Sequence, residues 1–169
     1  MISLALQYGL DVDNLSYNDE TKKYVKNIVK NKFIDDWQDA LNSRPGLRLY
    51  RLFKHEYKLE SYLQNIKNTN FRKMFTRLRT NSHYLEIERG RYVNKPESER
   101  LCSLCADVEN EFHFVMNCPL YDDIRCNLFN EISELFPFVS HYSLYEQFIF
   151  LMGFDDKKLH HIFSKFIAN

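Results

Sequence analysis

Four residues constrain this chain more than any other feature: Cys102, Cys105, His113 and Cys118, spaced C-x2-C-x7-H-x4-C and followed at once by Pro119. A C-x2-C pair lets two thiolates converge from one tight turn while nearby backbone N–H groups donate to the sulfurs. A second pair from further along then completes the tetrahedral shell that zinc takes. In a helix starting near Asn110, His113 falls in the first turn, whereas Cys118 would sit about 140° further round an ideal helix. A regular helix therefore cannot aim both at one ion. Pro119 disfavours helical geometry at the residue before it, which predicts a non-helical Cys118 whose thiol swings back. With Cys102, Cys105, His113 and Cys118 as ligands and Zn2+ as cofactor, no coordination position is left for an activated water, so the predicted site is structural. Without metal, residues 101–121 are expected to be locally disordered. Cys126, the remaining cysteine, lies on a helical pattern and reads as a buried free thiol.

Reading the cysteines as ligands and not disulfides presumes a reducing compartment, nucleus or cytoplasm. The apolar start from Ile2 to Leu10 is about half of what a bilayer crossing needs and has no basic residues ahead of it, so it fits neither a membrane helix nor a signal peptide. No membrane partner is expected.

Helical periodicity dominates the rest of the chain, giving a mainly α fold read as one helical domain with an embedded zinc knuckle. Tyr24, Val25, Ile28, Val29, Phe33, Trp37, Ala40 and Leu41 recur every three or four positions, with Asn18 or Asp19 as cap and Ser43 to Gly46 as stop. Leu47 to Leu63 reads as one or two short helices. From Asn70, Phe71, Met74, Phe75 and Leu78 line one side of a short helix whose other sides carry Arg72, Lys73, Thr76 and Arg79. Between His83 and Arg100 the helical period fails, and Tyr84 to Glu88 alternates as a brief strand before an Arg89-Gly90-Arg91 turn, so a short hairpin or loop is expected ahead of the cysteines. Three helices close the chain. One runs from Tyr121 to Phe136 and stops at Pro137, one runs from Ser143 to Gly153, and one is capped by Asp155 and carries Leu159, Ile162, Phe163 and Phe166. Two regions packed as one unit are expected, 1–100 with a basic face and 101–169 with the zinc cluster and closing helices. His160 and His161 read as a surface or half-buried pair.

Formal net charge is zero over 169 residues, yet its distribution is uneven. Residues 1–43 sum to −2, residues 44–95 to +9 and residues 96–169 to −7. A basic block can present a positive face to a phosphate backbone, or it can pair with the acidic end inside the fold. For the first reading the candidate contacts are Arg72, Lys73, Arg77 and Arg79 on the basic helix and Arg89 and Arg91 in the turn, with Tyr84 or Tyr92 stacking on an unpaired base. Six phosphate contacts give a log K against log salt slope of about −4 on single strands. The second reading is a zinc-stabilised protein-interaction module, which the aromatic load and acidic end favour. Catalytic motifs are missing: there is no Gly-rich phosphate loop, G-x-S-x-G or H-E-x-x-H, and the zinc deaminase order is reversed.

The stretch from Leu78 to Arg125 resembles a known family. Leu78-Arg79-Thr80-Asn81-Ser82-His83, Glu88-Arg89-Gly90-Arg91-Tyr92, Pro96, Arg100, Cys102-x2-Cys105, Glu111-Phe112-His113-Phe114, Cys118-Pro119-x-Tyr121 and Arg125 are similar to the zinc-binding region that follows the reverse transcriptase domain in non-LTR retrotransposon polyproteins of animals. Trp37, Tyr50-x2-Phe53-Lys54 and Tyr62-Leu63 resemble the helical segment ahead of it, so the likeness covers about residues 25 to 130. It implies the same four metal ligands, binding of element RNA or target DNA, and a polymerase or polyprotein partner. The paired aspartates of the polymerase in a Tyr-x-Asp-Asp context do not occur. The resemblance thus implies a non-catalytic fragment or descendant of such a protein.

Overall fold

The computed structural model describes residues 8–9 and 18–168; of the apolar start from Ile2 to Leu10, only Tyr8 and Gly9 are among them. Contacts divide the chain into two compact units, Met1–Pro45 and Gly46–Asn169. The boundary expected at 100/101 falls inside the second unit. Among the described residues there is no strand, and no helix is long and apolar enough to cross a membrane.

The first unit is built on α1 (Asp19–Ser43), 25 residues long. Asn18 caps it by accepting from Thr21 N at 2.7 Å, and Asp19 and Glu20 in the first turn complement the helix dipole. Of the expected apolar stripe, Leu41 is buried while Tyr24, Val29 and Phe33 are exposed.

After a 3-10 turn at Pro45–Leu47, the second unit has another at Tyr50–Leu52, within the stretch expected to form one or two short helices. It continues through α2 (Tyr62–Asn65), α3 (Thr69–Arg79) and α4 (Glu86–Tyr92), then a π-helical turn (His113–Asn117). It closes with α5 (Asp122–Leu135), α6 (Leu144–Gly153) and α7 (Lys157–Ile167). Helix α7 is the hub, packing on α2, α3 and α5. Its Leu159, Ile162, Phe163, Phe166 and Ile167 fall on one face at helical spacing and are all buried. Against them stand Phe75 and Leu78 of α3 and Leu128 and Ile132 of α5. Phe75 meets Tyr62 and Phe163 edge-on, with ring centroids 4.8 and 5.7 Å apart. Asp156, not Asp155, caps α7 through Lys158 N and Leu159 N, while Asp155 accepts from Ser61 Oγ. The capping box of α6, Ser143 with Glu146, starts that helix where the sequence places it.

Two expectations are corrected here. Tyr84 to Glu88 is not a strand: Leu85 is the extended cap of α4, whose first N–H groups are taken by Glu109 through its side chain and its carbonyl. Glu86 with Arg89 and Glu88 with Arg91 are i,i+3 pairs at 2.8 and 2.7 Å that support the helix. Gly90 is needed because the Arg100 side chain lies across it; a Cβ there would come within 2.5 Å of Arg100 Cγ. From that place Arg100 donates to Lys95 O and Ile87 O and ties α4 to the knuckle. Cys126 is exposed, not buried. It sits two positions from Leu128, about 200° round the helix, on the face away from the core.

His160 is buried in the core, where Asn65 Nδ2 lies 3.1 Å from its Nδ1. Burial, only partly opposed by Asp155, holds its pKa below the ordinary 6.5. The unfolded chain therefore takes up this proton first as pH falls. The stability gained by keeping His160 neutral is complete above the unfolded pKa and lost as pH drops towards the folded one. Urea midpoints should fall between about pH 7.5 and about pH 5.5, and fall less in His160→Gln.

Candidate metal centre

The four expected ligands converge. Sγ of Cys102, Cys105 and Cys118 and a ring nitrogen of His113 all lie within 4.8 Å of one another. Sγ of Cys102 is 3.9 Å from Sγ of Cys118, and Sγ of Cys105 is 3.3 Å from Nε2 of His113. A tetrahedral zinc with ordinary bond lengths sets sulfur–sulfur edges of about 3.8 Å and sulfur–nitrogen edges of about 3.6 Å. The cluster is thus already spaced for one ion.

Local backbone geometry produces this spacing in two pieces. The first is a hairpin-like loop inside the cluster, whereas the sequence predicts a hairpin or loop ahead of it. Leu101 and Val108 form an isolated antiparallel bridge, Cys102 N donates to Asp107 O at 2.7 Å, and Glu109 N donates to Arg100 O at 2.8 Å. Ala106, at φ 58°, takes the left-handed turn that returns the chain, and its N–H donates to Cys102 O. The second piece is the π turn. Asn110 Oδ1 accepts from His113 N, and Cys118 N then donates to His113 O at 2.8 Å, five residues back. That wider wrap carries Cys118 round over His113, which the tighter α-helix cannot do. Cys118 itself is extended (φ −63°, ψ 123°), as the following proline predicts. Arg125 of α5 donates to Val115 O and to Cys118 O, satisfying carbonyls at the end of this turn.

Cys102, His113 and Cys118 are buried and Cys105 is half-buried. Backbone N–H groups of Cys105 and Leu104 pull the Cys102 thiol down to about 6, partly against its burial. Burial, with the neighbouring sulfurs, pushes Cys118 up to about 11. The thiols must shed their protons to ligate an ion, so metal affinity should weaken as pH falls.

Behind the ligands lies a buried ionic network that the sequence did not single out. Glu111, two residues before His113, accepts from Arg48 Nη2 at 2.9 and 2.8 Å, from Asn81 Nδ2, and approaches His83 Nε2 at 2.7 Å. Burial pushes the Glu111 carboxyl up, but His83 and Arg48 outweigh it and hold it below its ordinary value. Arg48 also lies 3.7 Å from the buried Glu88, which pairs with Arg91.

The candidate phosphate contacts divide. Arg79 is withdrawn from solvent: it pairs with Glu60 at 2.7 Å, donates to Met152 O, and lies over the rings of Phe53 and Tyr62. Burial lowers its pKa, partly offset by the Glu60 charge. It is a core cation and no phosphate ligand. Arg72 donates to Ile66 O, and Arg91 is held by Glu88 with its guanidinium over Tyr92. Lys73 is exposed, Arg77 lies over the Tyr84 ring, and Arg89 is two-thirds exposed beside Glu86.

Comparison with family models, with curated proteins and with solved structures finds no match to this chain.

Proposed function

We propose that this chain is a zinc-stabilised nucleic-acid-binding domain, acting on RNA or target DNA, with no catalysis of its own. Three thiolates and one imidazole are a soft tetrahedral donor set, which selects zinc over magnesium or calcium. A closed shell of four protein ligands gives the ion a structural role. One observation carries the binding reading: Leu101 and Ser103 of the metal loop wall a cavity that Arg77, Arg89 and the exposed Tyr84 also line. The likeness to the zinc region of retrotransposon reverse transcriptase proteins points the same way and suggests a polymerase or polyprotein as a further partner.

With Arg72, Arg79 and Arg91 engaged inside the fold, Lys73, Arg77 and Arg89 remain for phosphates. Three contacts reduce the expected slope of log K against log salt on a single strand to about −2. Titration of a mixed RNA oligonucleotide at several salt concentrations measures it, and a slope near zero refutes the phosphate contacts. The second reading, a protein-interaction module, is favoured by Leu104 and Leu120, which flank the metal ligands and are 58% and 63% exposed. For that reading, gel filtration shows a larger complex with a partner chain that Leu104→Ser weakens, while RNA has no effect.

A further inference from the structure

The walled cavity beside the metal loop has a volume of about 550 Å³, within the range of sites that enclose a small organic group. Leu78, Leu85, Phe114 and Phe166 contribute an apolar lining. A second cavity of about 410 Å³ shares His83, Tyr84 and Arg89 with the first and reaches Tyr92. Tyr84 and Tyr92 are 71% and 72% exposed, more than any other aromatic residue given as exposed among the described residues. Each has an arginine over its ring, Arg77 at 5.4 Å and Arg91 at 4.7 Å. Glu86 and Glu109 also stand in the lining of the larger cavity.

That arrangement discriminates between the parts of a nucleotide. Within the cavity's lining, Arg77 and Arg89 suit a phosphate, whereas Glu86, Glu109 and the apolar wall are unfavourable to an anion. A nucleobase meets apolar side chains and a tyrosine face, and its exocyclic amino group has carboxylates to donate to. Arg89, on the exposed side of the same cavity, offers its charge to the backbone outside. Bases in a duplex are stacked and paired and cannot enter a pocket.

We propose that the linked cavities are a reading site for an unpaired strand, one base entering beside Tyr84 and its neighbour stacking on Tyr92. The proposal rests on the nucleic-acid reading above and adds to it the form of the ligand. Both tyrosines project into solvent, so their replacement leaves the core and the metal ligands untouched.

The test uses the full zinc-loaded chain and a fluorescently labelled ten-nucleotide strand, either alone or annealed to its complement, with anisotropy as the readout. A second strand carries 2-aminopurine, whose emission falls when it stacks on an aromatic ring. The expected results are tighter binding of the single strand, a loss of about 5- to 150-fold in Tyr84→Ala, near-normal affinity in Tyr84→Phe, and quenching by the native chain that Tyr84→Ala abolishes. Duplex bound as tightly as single strand, or unchanged affinity and quenching in Tyr84→Ala, overturns the unpaired-strand site while leaving nucleic-acid binding in place. If the native chain binds neither form at low salt, the nucleic-acid reading itself falls, and the site with it.

Discussion

Stripping the metal with a strong chelator should unfold the segment from residue 101 to residue 121 and take much of the second unit with it. Structural zinc contributes about 10 to 16 kcal/mol in small zinc-binding peptides, against a total of about 5 to 15 kcal/mol for an ordinary domain. The cluster has little substitute for the ion, because three of its four ligands are buried and the contacts among the four are a 3.9 Å sulfur pair and a 3.3 Å sulfur–imidazole pair. Hydrogen exchange checks the prediction directly. The amides of Cys102, Ala106 and Cys118, which donate within this segment, should lose protection on chelation and regain it when zinc is restored. Metal analysis should return one zinc per chain, none in Cys102→Ser or Cys118→Ser, and one in Cys126→Ser, whose exposed thiol lies outside the shell. A metal-free sample with native protection at these amides refutes the structural role.

The second large effect is expected at the buried carboxylates, and it is asymmetric. Arg48→Met leaves Glu111 charged and buried with His83 and Asn81 as its remaining partners, and removes the cation nearest to Glu88 on that side. Breaking such a pair from the cationic side should cost about 3 to 5 kcal/mol. Glu111→Gln leaves behind an Arg48 that is more than one-third exposed, so water takes over its solvation and the loss should be about 1 to 2 kcal/mol. Urea denaturation of the two variants with zinc present measures the difference. Equal losses would mean that the carboxylate carries no net charge in the folded chain.

Much of this was readable from residues alone, and the exceptions share a cause. The metal ligands were legible because their spacing is a local property: C-x2-C fixes a turn, and the five-residue step from His113 to Cys118 rules out a plain helix. What spacing did not reveal was the π turn that resolves the conflict. Helices α1, α3, α5, α6 and α7 follow apolar periodicity and punctuation such as Pro137 and the Ser143 capping box. Helix α4 escaped because Leu85 and Ile87 alternate like a strand, although the Glu86–Arg89 and Glu88–Arg91 spacings already spelled a helix. Arg79 was misplaced for a different reason. On its own helix it looks like a solvent-facing cation, and its partners Glu60 and Met152 lie 19 and 73 residues away. No local pattern encodes such a contact. The same holds for Arg48 and Glu111, 63 residues apart.

That separation bears on the order in which the second unit assembles. An ion held by the cluster closes a loop between residues 16 apart, a small entropic step compared with one that must bring Arg48 across 63 residues to Glu111. Glu111 lies two residues before His113, so capture of a metal ion should present a carboxylate already held in place to the upstream chain. Refolding traces started with zinc present should therefore be fast and single-phased. If metal is added only after collapse, they should gain a slow phase that tracks the return of the Arg48 contact.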